Sequence, residues 1–147
     1  ATPLSKVHCF TEKTTLRTAL AGLRGKMFSR IPILSQDRKR VVGVLYTKDL
    51  LRAKLAPEIL SLDVTTVMRK PLFVSPTMRL NALFRKFKQQ KTHMAVLQGT
   101  SKGGNAAPEA IGIVTMSDIL DALFDDLFPD EELEGHAPRA VARTKQP

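Results

Sequence analysis

The stretch Ala110-Ile111-Gly112-Ile113-Val114-Thr115-Met116-Ser117-Asp118-Ile119-Leu120 indicates the fold of this chain. Its apolar residues 111–114 predict a short buried strand that runs directly into a helix beginning near Thr115. Thr115 and Asp118 have the spacing of a capping box, in which each side chain accepts a hydrogen bond from the other residue's backbone N–H. The same pair suits a ribose, because a carboxylate accepts hydrogen bonds from neighbouring hydroxyls. Alone, the stretch favours a plain helix cap over a ligand site.

An earlier part of the chain repeats this pattern. Residues 41–46 form a nearly all-apolar strand, which is typical of burial on both faces, and a helix follows directly. A shift of 69 positions places Gly43 on Gly112 and Asp49 on Asp118. The two stretches therefore predict equivalent strand-to-helix corners.

The elements around both corners follow the same order. A shift of 63 positions superposes Phe10 on Phe73 and Thr14 on Thr77, and the longer loop at 99–108 then extends the shift to 69. The predicted elements are strand 7–10, a helix from Thr14 to about Gly25, strands 30–34 and 41–46, helix 47–55, strand 72–74, helix 77–90, strands 93–98 and 111–114, and helix 115–127.

This order predicts an α/β (α+β) fold built from tandem β-α-β-β-α repeats. Each repeat is too small to bury a good core alone, so we expect the two to pack as a pseudo-two-fold pair. We assign residues 1–62 to the first repeat and 63–133 to the second, and expect the polar, basic residues 134–147 to be disordered. Pro32 restricts its strand to a sheet edge or to the first strand positions.

Composition excludes several classes of protein. No apolar run approaches the roughly 20 residues of a membrane helix, and the N-terminus lacks a signal peptide. Because the chain begins Ala1-Thr2-Pro3 without an initiator Met, we expect it to be a fragment of a longer protein. Cys9 is a single cysteine in an apolar run, which indicates a buried small side chain in a reducing compartment. His8, His93 and His136 lack metal-ligand spacing, so no metal site is expected.

The chain is basic, with a formal net charge of +9. Residues 1–124 contain 20 Lys and Arg against 8 Asp and Glu, a net charge of +12. Such a surface attracts anions, so nucleic acid and nucleotide phosphates are both candidate partners. Signatures of zinc fingers, RNA-recognition domains and helix-turn-helix domains are missing from the sequence. It also contains no Ser/His/Asp set and no phosphate-cradling Gly-x-x-x-x-Gly-Lys loop, so a binding module is favoured over an enzyme.

Three motifs narrow the pattern further: Phe28-Ser29-Arg30-Ile31-Pro32-Ile33, Val42-Gly43-Val44-Leu45-Tyr46-Thr47-Lys48-Asp49-Leu50, and Lys91-Thr92-His93-Met94-Ala95-Val96 followed by Gly112-Ile113-Val114-Thr115. With the repeat, they resemble a tandem pair of CBS domains (a Bateman module). In this order they are similar to the cytosolic module of the CNNM/CorC family of magnesium transport proteins. The resemblance covers about residues 2–132.

The resemblance implies an adenine nucleotide, usually ATP with magnesium, bound between the repeats. Asp118 would hold the ribose hydroxyls, and Thr115 would lie near the sugar and phosphate. Ser29 and Arg30 would contact the phosphates, a role that suits the fixed charge and forked donors of arginine.

The same resemblance assigns apolar residues to the base. Phe28, Ile31 and Pro32 would line the adenine slot, and Thr2 is a further candidate. We expect Mg²⁺ to arrive on the nucleotide, because this ion binds through phosphates and keeps several of its waters.

The other cleft between the repeats is predicted to be degenerate. Its ribose position would use Asp49, but Tyr46 stands where Thr115 stands in the second repeat, and a phenol would crowd the sugar. We also expect His93 to replace Arg30, with the loss of a permanent charge.

The family implies a cytosolic regulatory module that senses ATP with magnesium and controls a membrane transport domain of the same parent chain. CBS modules commonly pair, so we expect a homodimer whose rearrangement carries the signal. The alternatives are a basic nucleic-acid-binding domain, and an AMP- or ADP-sensing CBS pair of another parent protein.

Overall fold

The strands and helices follow the apolar periodicity of the sequence. They are seen in a computed structural model that describes residues 1–23, 29–99 and 108–128. The elements are β1 (Thr2–Pro3), β2 (Phe10–Thr11), α1 (Leu16–Gly22), β3 (Arg30–Leu34), β4 (Val41–Tyr46), α2 (Thr47–Ala53), β5 (Leu72–Val74), α3 (Leu80–Gln90), β6 (Met94–Gln98), β7 (Ala110–Thr115) and α4 (Met116–Leu127). The predicted α+β class and the twofold β-α-β-β-α order are confirmed.

The chain divides into two compact units. The first unit is His8–Pro71, and its sheet has the strand order β2-β3-β4. The second unit combines Ala1–Val7 with residues 72–128, and its sheet has the order β1-β7-β6-β5. The N-terminal strand thus belongs to the sheet of the second repeat. The repeat boundaries at 62 and 63 stay a prediction, and residues 134–147 lie outside the described residues.

The core of the first unit lies between its sheet and its helices. Ile31 and Ile33 are two residues apart on β3, so they point to the same face of the sheet, and both are fully buried. Leu16 of α1 and Leu50 of α2 cover that face and are also fully buried. Burial of each such side chain stabilises the fold by roughly 1.5–3 kcal/mol.

The second unit has its own core with the same layers. Ala95 on β6, Ile119 on α4 and Phe87 on α3 are fully buried and pack in one cluster. Val74 and Val114 contribute from the neighbouring strands. Each sheet therefore positions the helix that follows its last strand.

One glycine in each unit allows a chain segment to approach the last strand closely. In the second unit, β1 pairs antiparallel with β7, with Pro3 opposite Gly112. A Cβ atom at Gly112 would lie 2.7 Å from the carbonyl oxygen of Thr2. In the first unit, a Cβ atom at Gly43 would meet the side chain of Met68. The glycines that the sequence aligns are therefore needed for close packing.

Of the two positions expected for Pro32, the sheet edge is wrong, because β3 is the central strand of its sheet. β3 lies between β2 and β4, yet β2 first pairs opposite Ile33, one residue beyond Pro32. On the other side, Val44 faces Pro32 but exchanges its backbone hydrogen bonds with Arg69, at 2.8 Å each. Neither neighbour needs the N–H group that proline lacks, so a central strand accepts it here.

The repeats are offset by 64 positions in their first halves, so the predicted shift of 63 is wrong by one residue. Phe10 pairs with Ile33 in the first unit, and Val74 pairs with Leu97 in the second. Leu16 and Leu80 begin the equivalent helices α1 and α3. The offset of 69 holds after the long loop, since Tyr46 and Thr115 each precede the last helix of their unit.

Helix α3 begins at Leu80, three residues later than predicted. The hydroxyl of Ser75 accepts a hydrogen bond from the N–H of Thr77 at 3.2 Å, and the Ser75 carbonyl accepts one from Met78. This local turn uses the groups that would have started the helix. Helix α2 likewise ends at Ala53, earlier than expected.

We predict that Gly112→Ala lowers the free energy of unfolding by about 1–3 kcal/mol, because the new methyl group forces β1 away from β7. Chemical denaturation measures the change. Gly99→Ala is the matched control: its Cβ would lie 3.6 Å from the nearest atom, an ordinary contact. Equal losses in the two variants would contradict the close-approach argument.

Candidate functional site

The corner between β7 and α4 is a complete capping box. The Thr115 hydroxyl accepts a hydrogen bond from the Asp118 N–H at 3.3 Å, and Asp118 Oδ2 accepts one from the Thr115 N–H at 2.9 Å. Both residues are buried, with 8% and 9% of their surface exposed. The predicted capping pair is confirmed, and it fixes the orientation of the Asp118 carboxylate.

The second oxygen of this carboxylate is not used by the fold. Asp118 Oδ1 is buried and has no hydrogen-bond partner among the described residues. Leaving a buried acceptor unpaired costs about 1–3 kcal/mol or more, so such atoms in native proteins call for an explanation. An acceptor held rigidly in this way matches a ligand that donates from hydroxyl groups.

Thr2 lies on the same face of the sheet as this corner. It is 2% exposed and pairs directly with Ile113, which is two residues before Thr115 on β7. Residues directly opposite in a sheet, and residues two apart on a strand, share one face. The structure therefore brings Thr2, Thr115 and Asp118 together in the second unit.

The first unit carries the predicted phosphate and adenine residues on β3 and just before it. Arg30 and Pro32 share one face of β3, whereas Ile31 points into the core of its unit. Arg30 Nε is buried without a hydrogen-bond partner among the described residues, and the guanidinium lies 5.4 Å from the centre of the Tyr46 ring. The carbonyl of Ser29 accepts a hydrogen bond from Thr47. Phe28 lies outside the described residues.

The corner of the first unit is built differently at the equivalent positions. Tyr46 precedes α2 as Thr115 precedes α4, but its side chain makes no capping hydrogen bond. Both oxygens of Asp49 accept from Arg69, from Nε at 2.8 Å and from Nη2 at 3.1 Å. These hydrogen bonds from Arg69 lower the pKa of Asp49 below its ordinary value.

Sequence reasoning missed Arg69 and misplaced His93. Met94 pairs with Thr115 as Arg30 pairs with Tyr46, so buried Met94, not His93, replaces Arg30. His93 is exposed, and its carbonyl accepts from Met116 as that of Ser29 accepts from Thr47. The signal that could have revealed Arg69 is a basic residue in the segment that precedes β5.

Cys9 is half-buried, and burial raises the pKa of its thiol to about 11. A thiol with such a pKa is protonated at neutral pH and is a poor nucleophile. No group of three or more His, Cys, Asp or Glu residues able to hold a metal ion occurs within residues 1–23, 29–99 and 108–128. In the same ranges, none of the helices is both long enough and apolar enough to cross a bilayer.

Comparison with known families identifies the class of this protein. The model of the CBS domain family matches residues 3–56 and again residues 63–125. The chain therefore belongs to the CBS domain family and contains two copies of the domain. The resemblance stated from the three motifs is confirmed at this level.

The relatives narrow the likeness within that family. The chain is 29% identical over 133 residues to the magnesium and cobalt efflux protein CorC of Vibrio cholerae. The aligned region covers 88% of this chain and 43% of that protein. It is 33% identical over 109 residues to a chloroplastic DUF21 domain-containing protein of Arabidopsis thaliana, covering 71% of this chain and 16% of that protein. The chain thus spans less than half the length of these curated relatives.

A solved structure shares the fold closely. It is the CBS domain of a bacterial CNNM/CorC family Mg²⁺ transporter in complex with ATP, with a TM-score of 0.72 and 26% sequence identity. The match covers 84% of this chain and 82% of that chain.

We predict that Thr115→Ala lowers the free energy of unfolding by about 0.5–2 kcal/mol, because the N–H of Asp118 loses its acceptor at the start of α4. Thermal and chemical denaturation measure the loss. Thr115→Ser keeps the hydroxyl and should retain most of the stability. Ser117→Ala, at an exposed position of the same helical turn, is the control; a loss there as large as in Thr115→Ala would argue against the capping role.

Proposed function

We propose that this chain is a regulatory module that binds an adenine nucleotide, ATP carrying Mg²⁺, and is not an enzyme. The observation that carries the proposal is the buried Oδ1 atom of Asp118, which has no hydrogen-bond partner among the described residues and lies at the same corner as the buried Thr115. The solved CBS domain that resembles this chain is in complex with ATP, which supports the choice of ligand.

The residues suit three parts of a nucleotide. Asp118 accepts hydrogen bonds from the ribose hydroxyls, and the Thr115 and Thr2 hydroxyls lie on the same side of the sheet. Arg30, with a buried donor still available, binds the phosphates together with Ser29. Pro32, on the same face of β3 as Arg30, contacts the base.

The Mg²⁺ ion neutralises part of the triphosphate charge when the nucleotide is bound. It binds chiefly through phosphate oxygens and keeps several of its waters, so dedicated protein ligands are not required. Arg30 adds a fixed positive charge on the protein side, and the basic surface of the chain favours the approach of the anion.

The nucleotide would regulate a transport domain in the membrane. Relatives of this chain are named as magnesium and cobalt efflux proteins and are more than twice its length, which suggests that the module acts on a further domain of its parent. Regulation requires that the nucleotide bind one arrangement of the module more tightly than another. We place the module on the cytosolic side, where ATP is available.

We predict that Asp118→Asn weakens the affinity for ATP with magnesium about 10–100-fold. A hydrogen bond to a charged group contributes about 1.5–3 kcal/mol, and 1.4 kcal/mol corresponds to a tenfold change. The asparagine oxygen still accepts from the Thr115 N–H, so the fold is retained. Arg30→Gln should weaken binding by a similar factor, whereas Arg85→Gln, the same charge change at an exposed position of α3, should not. Isothermal titration calorimetry measures all four proteins.

The same titrations, repeated with AMP and ADP and without magnesium, decide between ATP and the other adenine nucleotides. Binding that is indifferent to Asp118→Asn would remove the proposed ribose contact. Sub-micromolar binding of DNA or RNA with a steep salt dependence, in place of nucleotide binding, would instead favour the nucleic-acid alternative.

We also propose that the module pairs with a second copy of itself. Helix α4 exposes Leu120, Phe124 and Leu127, which are 50%, 44% and 74% exposed and follow the i, i+4, i+7 spacing of one helix face. A contiguous apolar stripe on a surface helix is typical of a protein interface. Pairing through this face would allow a ligand to act by rearranging the dimer.

We predict that Leu120→Glu converts the dimer to a monomer, because it buries a charge in the interface. Sedimentation velocity measures the change in mass. The control is Gln89→Glu, which adds the same charge at an exposed position of α3 and should leave the dimer intact. A monomeric wild-type protein at micromolar concentrations would refute this assembly.

A further inference from the structure

The segment before β5 fills the corner of the first unit. Arg69 pairs with Val44 of β4 through two backbone hydrogen bonds of 2.8 Å, in the antiparallel sense. Val44 is equivalent to Ile113, and Thr2 pairs with Ile113 in the second unit. Arg69 therefore stands where the candidate ligand residue Thr2 stands, and a glycine, Gly43 or Gly112, precedes the paired residue on the strand in each unit.

The side chain of Arg69 uses both acceptor atoms of the corner. Its Nε and Nη2 atoms bind the two oxygens of Asp49 at 2.8 and 3.1 Å, in the forked geometry that arginine and carboxylates form. Arg52 adds a third hydrogen bond to Asp49 Oδ1 at 3.2 Å. The equivalent carboxylate of Asp118 keeps one oxygen unpaired among the described residues.

Tyr46 completes this arrangement. The guanidinium carbon of Arg69 lies 4.3 Å from the centre of the Tyr46 ring, which is the geometry of a cation–π contact. A threonine at this position, as in the second repeat, would offer no such surface. Tyr46 and Arg69 thus act together: the Tyr46 ring packs against the guanidinium of Arg69, and Arg69 donates hydrogen bonds to Asp49.

Space does not by itself exclude a ligand from this corner. A cavity of about 410 Å³ opens beside Asp49 and Arg69. Its lining includes the apolar residues Ala53, Ile59 and Val67. Pockets for small molecules have about this volume or more. What the corner lacks is a carboxylate oxygen that has no donor of its own.

We infer that Arg69 is an intramolecular substitute for the ribose in the first corner, so that each chain takes one nucleotide and Arg69 with Tyr46 determines which corner takes it. This inference rests on the proposed nucleotide function. It attributes the number of nucleotides bound per chain to Tyr46 and Arg69. Steric crowding by Tyr46, the reason expected from the sequence, is only part of the exclusion. The other part is a carboxylate that is already hydrogen-bonded through both oxygens.

The test is calorimetric titration of ATP with magnesium into the wild-type protein and into the double variant Tyr46→Thr/Arg69→Thr. We expect one nucleotide per wild-type chain and two per double-variant chain. Adding Asp49→Asn to the double variant should return the value to one. The backbone pairing of residue 69 with Val44 does not need the arginine side chain, and circular dichroism confirms that each variant is folded.

The matched control is Arg52→Thr, which removes the other arginine bound to Asp49. Its side chain is 70% exposed and makes a single hydrogen bond, so the variant should still bind one nucleotide. NMR titration of the Asp49 carboxyl adds an independent readout. Its pKa lies below the ordinary value in the wild type and should rise in Arg69→Thr more than in Arg52→Thr.

The outcomes separate this inference from the proposed function. One nucleotide in both the wild type and the double variant would overturn the role of Arg69 while leaving the nucleotide function intact. Two nucleotides per wild-type chain would also overturn it. A wild type that binds none, with a double variant that binds one through Asp49, would support the inference and refute the proposed second-corner site. Binding to neither protein would overturn both.

Discussion

A carboxylate held at the start of a helix needs hydrogen-bond donors, and both repeats of this chain are organised around that requirement. Asp118 and Asp49 each follow the last strand of a sheet by three residues and lie in the first turn of the next helix. The position favours an acid because of the helix dipole and the free N–H groups of the first turn. The two units supply the donors differently. Thr115 donates to one oxygen of the Asp118 carboxylate, whereas Arg69 donates to both oxygens of the Asp49 carboxylate.

The difference depends on which segment lies along the last strand. In the second unit this segment is β1, which carries the short side chain of Thr2, and Asp118 Oδ1 has no hydrogen-bond partner among the described residues. In the first unit it is the chain around Arg69, whose long side chain reaches the acid. Gly112 makes the approach of β1 possible, because a Cβ atom there would lie 2.7 Å from the backbone oxygen of Thr2, whereas a Cβ atom at Gly43 would meet chiefly the side chain of Met68. The two corners have equivalent backbones but differ in chemistry, because Tyr46 and Arg69 in the first unit stand where Thr115 and Thr2 stand in the second.

Much of this could be predicted from the sequence, because the relevant patterns are local. The capping spacing of Thr115 and Asp118 and the buried strand before them are visible within eleven residues, and the offset of 69 aligns both corners correctly. The offset of 63 is wrong because it follows identities such as Phe10 with Phe73, whereas the parallel strand pairings and the starts of α1 and α3 set 64. A shift of one residue reverses the face of every strand side chain, so His93 was assigned the place of Met94. Arg69 could not be found locally, since its pairing with Asp49 spans 20 residues.

Because Arg69 belongs to the chain itself, its binding to Asp49 does not depend on the concentration of any ligand. Its guanidinium is tethered beside Asp49 at a constant effective concentration, whereas occupancy by a free ligand follows the concentration of that ligand. The hydrogen bonds from Arg69 lower the pKa of Asp49, so the ion pair favours the folded state above the ordinary carboxyl pKa and is lost only as the pH falls through the lowered value. The ion pair between Arg69 and Asp49 therefore stabilises the first unit but does not respond to ligand concentration. A ligand shifts a conformational equilibrium only through unequal affinity for two states, so under the proposed function a response to nucleotide would arise at the corner of Asp118.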